Sequence, residues 1–237
     1  MLVVLANRWD LEAAALAQRW SNHDAHVLSP EDLSLVGWRH DLADPAASTA
    51  VIGRRVIGVG EITGVLTLLP GIMPEQLSDI VPEDRIYVAA EMTAFLVSWL
   101  CELACMVLNP PTPACLMGPN WHPEQWIHTA AAAGIPVRPA RRRVSRAENP
   151  AGAPTQLPVA TATIIGERCF GEVDKELAMH ARQLAAVTEV DMLAIHFDGR
   201  ERDAELIGAD LRPDLSSPEI ADAILGYLLG SHGGRRC

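Results

Sequence analysis

At 237 residues the chain is long enough for one large domain or two small ones. Hydrophobic residues make up 49% and charged residues 21%, so a sizeable core can form and disorder over most of the chain is excluded. Acidic residues outnumber basic ones by 30 to 19, and the resulting formal charge of −11 argues against a nucleic-acid partner.

Residues 2–6 read as a buried strand and not as a secretory signal, because no basic segment precedes them. No stretch reaches the roughly 18–20 apolar residues needed to cross a bilayer, so no membrane partner is expected and the cytoplasm is the expected location. A helix is predicted from Asp10 to about Ser21, with Leu11, Ala15, Leu16 and Trp20 on one side. A second strand, Ala25–Leu28, closes at Ser29-Pro30. This β-α-β opening implies a parallel sheet with helices packed on it. Val51–Ile57 and Gly64–Leu69 each read as one strand, separated by Gly58 and Gly60.

From Glu83 to Leu103 the apolar residues Val88, Met92, Phe95, Leu96, Trp99 and Leu103 recur at helical spacing, which predicts a long helix with one buried face. The strand Cys105–Leu108 follows and is cut by Asn109-Pro110-Pro111. A further helix starts near His122-Pro123 and ends at Gly134, with Pro136 preventing continuation. Residues 140–157, rich in arginine and proline, read as a loop or linker. Val159–Ile165 alternates as a strand and turns at Gly166-Glu167 into a short return through Phe170. A helix from about Glu172 to Thr188 carries Val173, Leu177, Leu184 and Val187, and strands at Met192–Phe197 and Ala204–Ile207 flank a charged turn. The last helix begins at Ser217-Pro218-Glu219 and ends near Gly230, and residues 231–237 read as a tail. The five cysteines (Cys101, Cys105, Cys115, Cys169, Cys237) are odd in number and irregularly spaced, which fits reduced thiols; Cys101-x3-Cys105 lacks the second pair or histidine of a zinc site.

The order of several motifs resembles a known family. Tyr87-Val88-Ala89-Ala90-Glu91-Met92 on the long helix leads to Val107-Leu108-Asn109-Pro110-Pro111. Trp121-His122-Pro123-Glu124-Gln125-Trp126 and Ala132-Ala133-Gly134-Ile135-Pro136-Val137 follow. This succession resembles the pre-ATP-grasp domain of RimK-like ligases and of the graspetide peptide maturases. Thr163-Ile164-Ile165-Gly166-Glu167-Arg168 resembles a later hairpin of those proteins, and Met192–Phe197 with Asp210-Leu211-Arg212-Pro213 resembles their final, metal-bearing strands. The resemblance implies an α/β fold with a parallel-sheet pre-ATP-grasp-like domain at residues 1–139, a linker at 140–157, and a reduced ATP-grasp-like lobe at 158–230 packed on the first domain.

An ATP-grasp ligase needs lysine to neutralise phosphates, a glycine-rich loop over them, a cradle for adenine, and carboxylates that hold Mg²⁺. Set against the family pattern, this sequence has very few lysines, with Lys175 on a later helix, and between Arg141 and Pro158 there is room for a loop only. By the same resemblance His196 takes the place of the first metal Asp, Gly208 replaces a glutamate, and Asp210 remains. The expected function is a non-catalytic ATP-grasp-like binding or accessory protein in a peptide- or amino-acid-modifying system, without a cofactor of its own. The alternative is an active carboxylate-amine ligase with an altered minimal site, using ATP and Mg²⁺. Expected partners are a second copy of the chain, a full-length ligase or a precursor peptide.

The candidate site residues each have two readings. Asn109 either lines a cleft at the carboxyl end of the sheet or bonds its own turn. His122, Glu124 and His128 surround a helix start, a natural anion site, yet His122 also suits an N-cap and Glu124 the helix dipole. Arg141, Arg142 and Arg143, like Arg212, could grip carboxylates or phosphates or simply be solvated. His196, Asp198 and Asp210 form either a metal or acid–base cluster or a set headed by a hydrogen-bonded core histidine. Trp121 and Trp126 read as core or interface anchors.

Overall fold

The computed structural model describes residues 1–138 and 158–230. In chain order these residues form β1 (Leu2–Leu5), α1 (Leu11–Arg19), β2 (Ala25–Leu28), β3 (Thr49–Ile52), β4 (Arg55–Gly58), β5 (Gly64–Thr67), α2 (Arg85–Glu102) and β6 (Met106–Leu108). The second half adds α3 (Pro123–Ala132), β7 (Ala160–Ile165), β8 (Arg168–Phe170), α4 (Lys175–Thr188), β9 (Met192–Phe197), β10 (Leu206–Asp210) and α5 (Pro218–Leu228). The fold class is mixed α/β, with one parallel and one antiparallel four-stranded sheet. Two compact units result: Met1–Asn120 with the segment from Asp214 onward, and Trp121–Pro213. From sequence the boundary falls at 139, whereas contacts group α3 with the second unit and α5 with the first. No helix among the described residues is long and apolar enough to cross a membrane.

In the first unit the strand order is β2-β1-β5-β6, all parallel. Every residue of β1 is fully buried, as expected for a parallel strand covered on both faces. On one face Val3, Leu5, Val65 and Val107 share a core with Leu96, Trp99 and Leu100 of α2. On the other, Gly64 lies against α5: a Cβ there would sit 2.9 Å from Leu228 Cβ and 3.1 Å from Leu2 Cδ2. The buried side of α1 is Ala13, Leu16 and Ala17 with Trp20 just beyond, not the expected set, and Leu11 and Ala15 face outward. Spacing of three and four residues, rather than the hydrophobicity of Leu11, sets that face.

The stretch expected to be one strand, Val51–Ile57, is a hairpin. Gly53 and Arg54 both have positive φ (58° and 62°), and β3 and β4 pair antiparallel across them. Two successive left-handed residues make the tight turn that suits strand twist. The irregular segment before the hairpin is tied down by Trp38, whose ring meets Phe95 and Trp99 edge-on at 5.5 Å and whose Nε1–H donates to the Asp32 carbonyl.

In the second unit the antiparallel order is β10-β9-β7-β8. Alternate residues Ala162, Ile164, Leu193, Ile195 and Phe197 pack with Trp126 and Ala130 of α3 and with Leu177, Ala181 and Leu184 of α4. The Trp121 ring lies against Trp126 with centroids 4.7 Å apart and planes tilted by 56°, so both tryptophans serve this core. Val187, expected on the apolar face of α4, is 55% exposed, and His180 and Ala185 take the buried positions.

Gly64→Ala is expected to cost about 1–3 kcal/mol through overpacking against Leu228. Gly208→Ala, where a Cβ meets nothing within 4 Å, should shift stability by less than about 1 kcal/mol. Urea midpoints of the two variants measure the contrast.

Candidate functional site

Strand alternation in the second unit places the polar residues opposite the helix-packed face. Thr161 of β7 and Gly208 of β10 both stand in register with His196 of β9. Asp210 lies two residues beyond Gly208 and so returns to the same face as His196. The imidazole is hydrogen-bonded at both nitrogens: Nδ1 to Thr161 Oγ1 at 3.1 Å and Nε2 to Asp210 Oδ2 at 2.7 Å. The other Asp210 oxygen accepts from the Arg212 backbone N–H at 2.9 Å. Because a carboxylate only accepts, Nε2 carries a proton, and in the neutral ring Nδ1 then accepts from the Thr161 hydroxyl. A hydroxyl, an imidazole and a carboxylate in series can pass or hold a proton. The cluster reaches solvent, with the His196 side chain 24% and the Asp210 side chain 51% exposed. The absent side chain of Gly208 leaves open space beside His196.

Asp198 does not join this pair. Beyond Phe197 the strand has ended, and the Asp198 carboxylate instead meets the Arg138 guanidinium, which also reaches Glu205 at 3.4 Å. The second Asp198 oxygen accepts from the Glu205 N–H at 2.8 Å and closes the turn between β9 and β10. Arg138 is itself fixed by its N–H donating to the Leu206 carbonyl at 2.9 Å. The expected trio of His196, Asp198 and Asp210 therefore divides into a pair and a separate ion-paired residue. Among the described residues no group of three His, Cys, Asp or Glu side chains is arranged to hold a metal ion.

In the first unit the carboxyl ends of the parallel strands form the edge where open α/β sheets take ligands. Asn109 lies there but is 1% exposed, so it lines no open cleft, and the Thr67 hydroxyl donates to the Leu108 and Asn109 carbonyls at 3.1 and 3.3 Å. The exposed groups at this edge follow β1, where the chain order reverses between β2 and β5. Arg8 lies over the Trp9 ring at 4.4 Å and pairs with Glu31 at 3.2 Å, and Trp9 is 73% exposed.

His122 stands at the N-cap of α3, where its backbone N–H donates to Gln125 Oε1 at 2.8 Å, and Glu124 occupies the first turn. His122, Glu124 and His128 are exposed and belong to the second unit. Arg141, Arg142 and Arg143 lie outside the described residues. Burial pushes the thiols of Cys115 and Cys169 up, the latter against an opposing pull from Arg182, which keeps both protonated and weakly nucleophilic. Thr161 and Arg138 escape sequence reasoning as partners of His196 and Asp198, since only strand register and the return of the chain along β10 bring them there.

No protein-family model and no curated protein matches the sequence. Solved structures do match. The macrocyclase MdnC of Microcystis aeruginosa, bound with precursor peptide MdnA, aligns over 97% of this chain and 100% of that chain with TM-score 0.65 and 12% identity. A RiPP-associated ATP-grasp ligase of Chryseobacterium gregarium, in complex with ADP and a leader and core peptide, aligns over 100% of this chain and 99% of that chain with TM-score 0.67 and 9% identity. A RimK domain ATP-grasp protein of Sphaerobacter thermophilus aligns over 97% and 99% with TM-score 0.54 and 14% identity. The chain thus has the fold of ATP-grasp ligases, as its motif order implies.

Two carboxylates of unlike surroundings should respond differently to neutralisation. Asp198→Asn, which strips a charge-assisted pair from a side chain 14% exposed, is expected to cost about 1–3 kcal/mol. Asp210→Asn, at a side chain 51% exposed, should cost less than about 1 kcal/mol. Denaturant titration of both variants reads the order, and the reverse order would contradict these assignments.

Proposed function

We propose that this chain is a binding or accessory protein of a peptide-modifying system, built on the ATP-grasp fold and not itself performing ATP-dependent ligation. The observation that carries the reading is the His196–Asp210 hydrogen bond. In the family pattern that the motifs resemble, this strand pair supplies carboxylates that hold Mg²⁺ against phosphates, a role that needs several hard oxygen ligands. Here His196 and Gly208 stand at two of those positions, while Asp210 spends one oxygen on the His196 imidazole and the other on the Arg212 amide. Phosphate neutralisation is poorly provided for as well, since the single lysine of the sequence, Lys175, is exposed at the start of α4.

The proposed organisation follows the contact grouping: a pre-ATP-grasp-like unit of Met1–Asn120 with the segment from Asp214 onward, and a reduced ATP-grasp-like lobe of Trp121–Pro213, replacing the sequence division at 139. The partner in this reading is a precursor peptide, a full-length ligase or a second copy of the chain. The matched MdnC is bound with a precursor peptide and the matched Chryseobacterium ligase with leader and core peptides, which supports a peptide as the first choice.

A second reading, a working enzyme with an altered site, is favoured by the Thr161–His196–Asp210 series and its solvent access. Calorimetric titration with Mg-ATP separates the two. The accessory reading expects no heat of binding in the micromolar range, and micromolar affinity would sink it. ATP turnover in the presence of peptides that disappears in Asp210→Ala would establish the enzyme instead.

A further inference from the structure

The β3–β4 hairpin carries an unused edge with a groove beside it. Its two-residue turn closes on Ile52 and Arg55, so the ladder hydrogen bonds fall on Ile52–Arg55 and Ala50–Ile57. The N–H and C=O of Val56 consequently point away from β3, and no other described strand pairs with β4. Ala50, Ile52 and Ile57 turn into the core of the unit, whereas Val56 turns to the other face and is 57% exposed.

Against that other face runs the segment after β2. Gly37, at φ 127°, brings the chain so close that a Cβ would touch the side chains of Val51 and Val56, and the Trp38 anchor holds it there. Between segment and hairpin lies a cavity of about 410 Å³ lined by Glu31, Asp32, Leu35, Val36, Arg54 and Val56 among others. Val36 is 97% exposed, an aliphatic side chain held in water with no packing role. Glu31 gives one carboxylate oxygen to Arg8, while Oε2 is buried and has no hydrogen-bond partner. An orphaned carboxylate oxygen calls for a donor, most strongly a cationic one.

We propose that the β4 edge and this groove bind an extended peptide segment of a partner, which adds as a strand to β4. Main-chain bonds to Val56 supply the docking, an apolar side chain covers Val36 and Val56, and a Lys or Arg two residues along meets Glu31 Oε2. The unpartnered Glu31 Oε2 favours the basic residue, with Arg54 as a competing cation in the same lining and Asp32 already accepting from Ser29. The proposal takes the class of partner, a peptide, from the accessory reading and adds the surface. The two fail separately: micromolar Mg-ATP binding would overturn that reading and leave this surface standing.

The test uses the full chain to select from a displayed random peptide library, followed by fluorescence anisotropy of the synthesised winners. Enrichment of an apolar–x–basic pattern is expected, with binding weakened about tenfold or more by Val36→Asp. Glu31→Gln should erase the preference for Lys or Arg over norleucine at the basic position. Bound peptide should slow hydrogen exchange of the Val56 amide. Because Val36 is exposed, its substitution leaves the fold intact, and Val56→Pro, which removes the N–H, gives a second check. Absence of enriched peptides, or winners indifferent to both Val36→Asp and Glu31→Gln, overturns the proposal. So does self-association of the free chain that Val36→Asp abolishes, which would make a second copy the occupant.

Discussion

A one-residue slip of β9 against β7 or β10 would turn Leu193, Ile195 and Phe197 out of the core and His196 into it. That register is therefore held by the burial of three large side chains, each worth about 1.5–3 kcal/mol when removed from water. The site depends on this indirectly: the apolar face fixes the pairing, and the pairing delivers Thr161 and Asp210 to the two nitrogens of one imidazole. A polar cluster on a sheet can be placed this way without contributing much stability of its own.

The carboxylates of the second unit differ in fate for the same geometric reason. Asp210 is still within a strand and follows its alternation, so it shares a face with His196. Asp198 is one residue past the end of β9, where alternation no longer applies, and it closes a turn with Glu205 and Arg138. Proximity in sequence to His196 says little once the strand has ended. What remains is a relay of hydroxyl, imidazole and carboxylate, in which the acceptor capacity of Asp210 is directed at protein donors.

In the first unit the parallel sheet is buried on both faces, which leaves side chains little freedom there and moves any surface chemistry to the edges. Arg8 and Trp9 follow β1, the strand on either side of which the connections diverge to β2 and β5. Glu31 is reached from Arg8, and the groove beside the hairpin begins at Glu31. One exposed edge of the unit thus joins an aromatic–guanidinium pair, a carboxylate with an unused oxygen, and a free strand.

Much was legible from residues alone. The helical spacing of Leu96 and Trp99, the Pro123 start and Gly134 stop of α3, and the apolar runs of β1 and β9 each define an element, because local sterics and periodic burial act over a few residues. The order of motifs such as Asn109-Pro110-Pro111 also implied the ATP-grasp fold. The hairpin at Gly53-Arg54 was not legible, since a Gly-Arg pair is a weaker turn signal than Asn-Gly and the flanking valines and isoleucines read as one run. Nor were the burial of Asn109, the pairing of Asp198 with Arg138, or the arrival of Thr161 at the His196–Asp210 pair, of which only that pair was expected. Those contacts join residues 35, 60 and 14 positions apart, and only strand order and register decide which of them meet.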